Sequence, residues 1–137
     1  DEMIAATKGF STKIGKGGFG LVFSGELPEG KSIAVKVRSP SSDQGVDEFL
    51  NEVDLLSKIN HRNLVSLLGY CNQSSQVRLI YEYMSGGSLM DHLYGVNAGN
   101  SELNWEIRLK IALDAAYGLH YLHTGSVPKI IHRDIKT

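Results

Sequence analysis

The rhythm of apolar and polar positions changes once along the chain, near Tyr83. Before that point the apolar runs are short. "GLVFSGEL" (20–27) and "KSIAVKVR" (31–38) are rich in strand formers and are divided by Pro28-Glu29-Gly30, which predicts a hairpin. After the polar "SPSSDQG", Phe49, Val53 and Leu56, with Leu50 and Ile59, recur at three- and four-residue steps, predicting a helix that Asn60-His61 closes. "NLVSLLGYC" (63–71) and "VRLIYEYM" (77–84), separated by the polar "NQSSQ", predict further strands, about five in all. From Ser88 the period becomes helical. A short helix is expected at "SLMDHLY", then a polar loop and a long helix from Trp105 to about His123. Its stripe would be Ile111, Ala112, Ala115, Leu119 and Leu122, with Asn104 as N-cap and Gly125 beyond its end. Strands first and helices after give an α+β chain of two lobes joined near Tyr83.

Bulk properties sharpen this picture by exclusion. With 42% hydrophobic and 21% charged residues the 137-residue chain can bury a core. Fourteen basic against fifteen acidic residues leave a net charge of −1, so no electrostatic footprint for nucleic acid or anionic membrane is present and any anion must be held locally. The single cysteine, Cys71, excludes an internal disulfide framework, suits a reducing compartment and reads as a small core residue. No apolar run approaches the roughly 20 residues of a membrane span, and "DEMIAATKGF" lacks the blocks of a signal peptide. Neither end reads as a natural terminus, which leaves room for an anchor outside these residues.

Two segments compete as phosphate sites. "GELPEGKS" (25–32) spells G-x-x-x-x-G-K-[ST], but that pattern works only between a strand and a helix N-terminus, where backbone N–H groups face the phosphates. Here a strand, "IAVKV", follows, and Pro28 removes a donor; a hairpin turn is the expectation. "IGKGGFGLV" (14–22) instead places Gly15, Gly17, Gly18 and Gly20 between two strand-like pieces, where missing side chains let backbone approach phosphate. Alone it reads equally well as a glycine-rich hairpin. Lys36 lies mid-strand among apolar residues and needs an anion. Glu52, beside Phe49, Val53 and Leu56 on the helix, can supply one; Glu48 is the competitor. His-Arg-Asp at 132–134 completes an ordered set. His120 and His123 lack a third ligand and read as structural, as does His61 in "NHRNLV". "NQS" (72–74) is a glycosylation sequon by spelling only.

The set G-x-G-G-F-G-x-V, A-V-K, helix Glu and H-R-D-x-K resembles a eukaryotic protein kinase over nearly the whole chain. "ATKGFSTKIGKGGFGLVFSGELPEGKSIAVKV", "FLNEVDLLSKINHRNLVSLLGYC", "LIYEYMSGGSL" and "LNWEIRLKIALDAAYGLHYLH" resemble plant receptor-like kinases, most of all the leucine-rich-repeat and malectin-like receptors. The resemblance implies a two-lobe kinase-like fold: a five-stranded antiparallel sheet with one helix (11–84), then the first helices of an incomplete second lobe (85–137). Phe23, where the family commonly has Tyr, and "NAGN" before the long helix are small departures.

The resemblance also implies roles. Ile14 and Val22 would cover adenine, Gly15, Lys16, Gly17, Gly18, Phe19 and Gly20 would fold over the phosphates, and Ala34 would roof the base. Lys36 would grip the α- and β-phosphates with Glu52 as its partner. Tyr81 would guard the back of the pocket, the Glu82 carbonyl and Met84 N–H would bond the adenine edge, and Ser88 would reach the ribose. Asp134 would take the proton of the attacking hydroxyl and Lys136 would steady the γ-phosphate, which favours Ser/Thr over Tyr substrates. Arg133 would gather a phosphorylated activation loop. ATP and Mg²⁺ are the implied cofactors and a protein Ser/Thr the implied substrate, on the cytoplasmic side of the plasma membrane in a membrane-anchored parent. The metal-binding Asn and Asp of such kinases would fall beyond residue 137. The expectation is therefore a chain that binds nucleotide weakly, transfers no phosphate and associates through uncovered apolar surface on its long helix. A non-catalytic kinase-like scaffold is the alternative.

Overall fold

The computed structural model describes residues 2–17, 20–38, 46–73, 76–95, 103–133 and 135; of 46–50, 52, 73 and 76 it describes the backbone. The elements run α1 (Glu2–Ala6), β1 (Lys13–Gly17), β2 (Gly20–Glu26), β3 (Ser32–Arg38), α2 (Val46–Ser57), β4 (Leu67–Gln73), β5 (Gln76–Glu82), α3 (Leu89–Tyr94) and α4 (Trp105–His120), followed by a π-helical turn, Tyr121–Gly125. The chain divides into two compact units, one of residues 1–60 and 65–83, the other of 61–64 and 84–137.

In the first unit the five strands form one antiparallel sheet in the order β1-β2-β3-β5-β4. "GELPEGKS" is the β2–β3 hairpin: Gly30 N–H donates to the Leu27 carbonyl at 2.8 Å, Leu27 N–H to that of Lys31 at 2.9 Å, and Gly30 has a φ of 80°. Three-residue hairpin loops close in this way, and no helix N-terminus is present to face a phosphate.

Strand alternation splits the apolar side chains between two faces. Ile33 and Val35, both fully buried, turn to one face with Val37, Ile80 and Cys71; Val77, Leu79, Tyr81 and Leu67 turn to the other. The second face is closed by α2 through Val53 and Leu56, as the helical stripe predicted. The first face is closed by α1, which the sequence reading did not anticipate. Met3 is buried there, with Ala6 and Phe10 beside it. Thr7, also buried, donates its hydroxyl to the Met3 carbonyl at 2.6 Å and accepts the Phe10 N–H at 3.1 Å. Lys8, Gly9 and Phe10 then follow with φ of 51°, 70° and 59°. Two non-glycine residues in the left-handed region cost on the order of 1 kcal/mol each, and the docking of Phe10 offsets that strain. Its ring meets Phe23 edge-on at 5.4 Å and lies under the Arg78 guanidinium at 5.0 Å.

α1 can come this close because Gly25 has no side chain: a Cβ there would sit 3.1 Å from the Ala6 carbonyl oxygen and 3.2 Å from the Thr7 methyl. Gly25→Val is expected to lower the unfolding free energy by about 1–3 kcal/mol, as overpacked sites do, with hydrogen-exchange protection lost first over residues 3–12. Urea denaturation combined with exchange mass spectrometry checks both, and an unchanged midpoint would refute the tight seat given to α1.

Four sequence expectations shift. The strand expected at 63–71 occupies Leu67–Gln73, because residues 61–64 form a turn in which Asn63 N–H donates to His61 Nδ1 at 3.2 Å and Leu64 N–H to the His61 carbonyl at 3.0 Å. The run expected at 77–84 starts at Gln76 and stops at Glu82. The expected stripe of the long helix holds only in part: Ile111 and Leu119 are half-buried and Leu122 is buried, whereas Ala112 and Ala115 are exposed and Gly118 is buried in their place. The cause lies within the second unit. The 61–64 turn rests on α4 where Gly118 leaves room, a Cβ there lying 3.1 Å from the Asn63 carbonyl oxygen. His61 stacks on Tyr121 at 4.8 Å, and Arg62 approaches Asp114 at 3.9 Å. α4 itself ends at His120 and continues as the wider π turn, with Ser126 N–H reaching the Tyr121 carbonyl at 2.9 Å, so Gly125 lies inside the turn rather than beyond it. Asn104 caps α4 as expected, accepting the Ile107 N–H at 2.9 Å. Trp105, Leu109, Leu113 and Tyr117 form an exposed apolar line along it. No helix among the described residues is long and apolar enough to cross a membrane.

Candidate nucleotide site

The glycine segment is the tip of the β1–β2 hairpin. Gly15 pairs with Val22, Lys16 with Leu21 and Gly17 with Gly20; Gly18 and Phe19 lie outside the described residues. Gly20, the first residue of β2, has a φ of 145°, a conformation that side chains oppose and glycine adopts freely. A bulge between Lys13 and Gly15 interrupts the alternation at Ile14, which is exposed.

The register then carries the site inward. Val22 stands opposite Lys36, Ser24 opposite Ala34, Ala34 opposite Tyr81, and Lys36 opposite Leu79. Directly opposed residues of an antiparallel pair share a face. Gly15, Val22, Ala34, Lys36 and Tyr81 therefore lie on one face, the one α2 closes through Val53. Lys36 and Tyr81 are both half-buried there. Glu52 precedes Val53 on α2; its side chain, like that of Glu48, lies outside the described residues. The sheet thus places Gly15, Ala34 and Lys36 on a common face.

At the end of β5 Glu82 is half-buried and Met84 exposed. Ser88 is the N-cap of α3 in a capping box: its hydroxyl accepts the Asp91 N–H at 3.2 Å and donates to Asp91 Oδ2 at 2.6 Å, while Asp91 Oδ2 takes the Ser88 N–H at 3.1 Å. These bonds from Ser88 hold the Asp91 carboxyl below its ordinary 3.8, with nearby His92 acting in the same direction. A depressed carboxylate stabilises the fold above its unfolded pKa and loses that contribution as pH falls through the folded value. Amide protection of α3 is therefore expected to drop as pH falls below about 4, and Asp91→Asn should flatten that dependence; hydrogen exchange against pH reads both.

Asp134 and Lys136 lie outside the described residues; Arg133, exposed, has a φ of 63°, a strained value for a side-chain residue. Among the described residues no cluster of His, Cys, Asp or Glu is placed to hold a metal. A polar groove of about 250 Å³ in the first unit, lined by Thr7, Lys8, Ser11, Ser24, Glu26 and Tyr83 among others, includes none of the residues assigned to nucleotide. Sequence reasoning missed one further feature, a tie between Ser66 and the Glu82 side chain. No local pattern marks it, since the partners are sixteen residues apart.

Comparison with known proteins decides the family. The model of the protein tyrosine and serine/threonine kinase family matches residues 9–137. The chain belongs to this kinase family. The nodulation receptor kinase of Pisum sativum is 55% identical over 132 residues, 96% of this chain and 14% of that protein. Receptor-like protein kinase THESEUS 1 of Arabidopsis thaliana is 51% identical over 138 residues, 99% of this chain and 16% of that protein. The chain thus spans about one sixth of these curated relatives, which bear out the likeness to plant receptor-like kinases. Among solved structures, the pseudokinase domain of BIR2, an immune regulator of the RLK/Pelle family, superimposes with a TM-score of 0.77 at 36% identity, covering 98% of this chain and 41% of that one. The drought-responsive pseudokinase DRIK1 superimposes with a TM-score of 0.78 at 31% identity, covering 89% and 48%.

Proposed function

We propose that this kinase-family chain binds ATP on the sheet face that carries Lys36, and that the protein it represents transfers the γ-phosphate to serine or threonine hydroxyls of protein substrates as a receptor-like kinase at the cytoplasmic face of the plasma membrane. The observation carrying this is the register that aligns Gly15, Val22, Ala34 and Lys36 on the α2-covered face. The bared backbone from Gly15 to Gly20, with Lys16 and Phe19, covers the phosphates. Ile14, Val22 and Ala34 enclose the base, and Tyr81 closes its rear. The Glu82 carbonyl and the Met84 N–H read the adenine edge. Ser88, whose capping bonds use its donor and one lone pair, keeps a second lone pair for a ribose hydroxyl.

Lys36 holds the α- and β-phosphates and Glu52 holds Lys36. Asp134 accepts the proton of the attacking hydroxyl, and Lys136 balances charge on the γ-phosphate. When bound, Mg²⁺ neutralises charge between the phosphates. Titration of the 137-residue chain with a fluorescent ADP analogue and Mg²⁺ should give saturable binding displaced by ATP. Absence of displacement would refute the reading.

A second reading, a non-catalytic kinase-like module, is favoured by the likeness to two pseudokinases. Labelled ATP and a generic protein substrate separate the two when given to the longer protein: transfer supports the kinase, binding without transfer the module.

A further inference from the structure

The last residue of β5 is held in an unusual way. Glu82 stands opposite Ile33 of β3 on one side. On the other, its N–H donates to the Ser66 carbonyl at 3.2 Å, and its own carboxylate Oε1 accepts the Ser66 N–H at 2.6 Å. In an ordinary antiparallel pair a backbone carbonyl would return that second bond; here a side chain does, closing a ring between residues 66 and 82 just before β4 begins at Leu67. The β4–β5 register slips between Leu67 and Gly69, so this end of the ladder is where regular pairing is weakest. A carboxylate bond to a backbone N–H is shorter and stronger than a neutral one.

We propose that the Glu82 carboxylate is a positioning residue for nucleotide recognition. By locking residue 82 to residue 66 across the slipped register, it fixes the orientation of the peptide that follows β5, and with it the Glu82 carbonyl. This inference rests on the functional reading above, in which that carbonyl accepts the exocyclic amino group of adenine. The side chain touches no nucleotide; it acts through its own backbone.

The test compares ATP with inosine triphosphate, which carries an oxo group where adenine has its amino group. Dissociation constants for both are measured on wild type, Glu82→Gln, Glu82→Asp and Glu82→Ala, each at a temperature where melting shows it folded. Gln keeps an acceptor at the same reach, whereas Asp falls one methylene short. Wild type and Glu82→Gln should prefer ATP. Glu82→Asp and Glu82→Ala should weaken ATP binding roughly tenfold, the scale of one lost charge-assisted hydrogen bond, with inosine triphosphate changed much less. A brace with no role in recognition would leave the ATP preference intact or lower both affinities together, and either result overturns the inference. Should the Ala variant fail to fold, the Gln-to-Asp comparison decides alone. A wild type binding neither nucleotide overturns the functional reading along with it; a wild type preferring ATP with all variants alike overturns the inference only.

Discussion

Lys36→Met is expected to weaken ATP binding by about ten- to hundredfold, the equivalent of roughly 1.5–3 kcal/mol for a hydrogen bond to a charged group, while Lys31→Met leaves it unchanged. The two lysines are five residues apart and each has a claim from the sequence, one through a strand among apolar neighbours and the other through a spelled phosphate motif. Their settings differ. Lys36 is half-buried between Val22 and Leu79, where partial desolvation strengthens its action on an anion. Lys31 is exposed at the β2–β3 turn, its carbonyl spent on the Leu27 N–H. Titration of each variant with the fluorescent nucleotide, after a melt shows it folded, reads the difference. Equal affinity in wild type and Lys36→Met, or a loss in Lys31→Met alone, would remove the basis for assigning the site to the β3 face.

What could be read in advance follows the reach of each interaction. The sheet was legible because alternation and Gly/Pro punctuation act within a few residues: Ile33 and Val35 against Ala34 and Lys36 already imply two faces, and Pro28-Glu29-Gly30 implies the turn. The capping roles of Asn104 and Ser88 differ in this respect. Asn104 is legible as a cap because a long helical stripe follows it, whereas the six-residue α3 gives Ser88 no such stripe and the kinase resemblance points its hydroxyl to ribose rather than to Asp91. α1 is not legible in the sequence because five residues are too few for a helix to declare itself; its stability comes from docking Met3 and Phe10 onto β3 and β5, a contact seated by Gly25, distant in sequence. The same holds for "NLVSLL". Leu64 is drawn to α4 and Leu67 to the sheet, yet both read as one apolar run until the His61 turn separates them. Of the candidate site, the face shared by Gly15, Val22, Ala34 and Lys36 was implicit in strand parity, whereas the Ser66–Glu82 tie depends on a slipped register that no periodicity reveals.

Ile33→Ala is the substitution expected to cost the fold most, about 2–5 kcal/mol, the range for removing a large aliphatic side chain from a site that cannot collapse. Ile33 is 0% exposed, and its cluster is shared by elements far apart in sequence: Met3 and Ala6 from α1, Val35 within β3, Ile80 from β5. Relaxation to fill the void would have to move α1, which Gly25 and the Phe10 contacts already hold tightly, so most of the cavity should persist. With a total stability of about 5–15 kcal/mol typical of a domain, such a loss is a large fraction of the whole. Ile131→Ala, at a position 68% exposed, supplies the contrast and should stay within about 0.5 kcal/mol of wild type. Urea midpoints measure the two effects, and exchange mass spectrometry locates them: amides of β3 and β5 should lose protection in Ile33→Ala. A cost below about 1 kcal/mol would mean that the α1 side of the sheet collapses freely, unlike the sites whose cavities persist, and that α1 is not the seal its geometry describes. Because Ile33 pairs with Glu82, any loosening it causes should also reach the end of β5. Weaker ATP binding in folded Ile33→Ala would therefore tie the α1-covered core to the nucleotide face through the sheet itself.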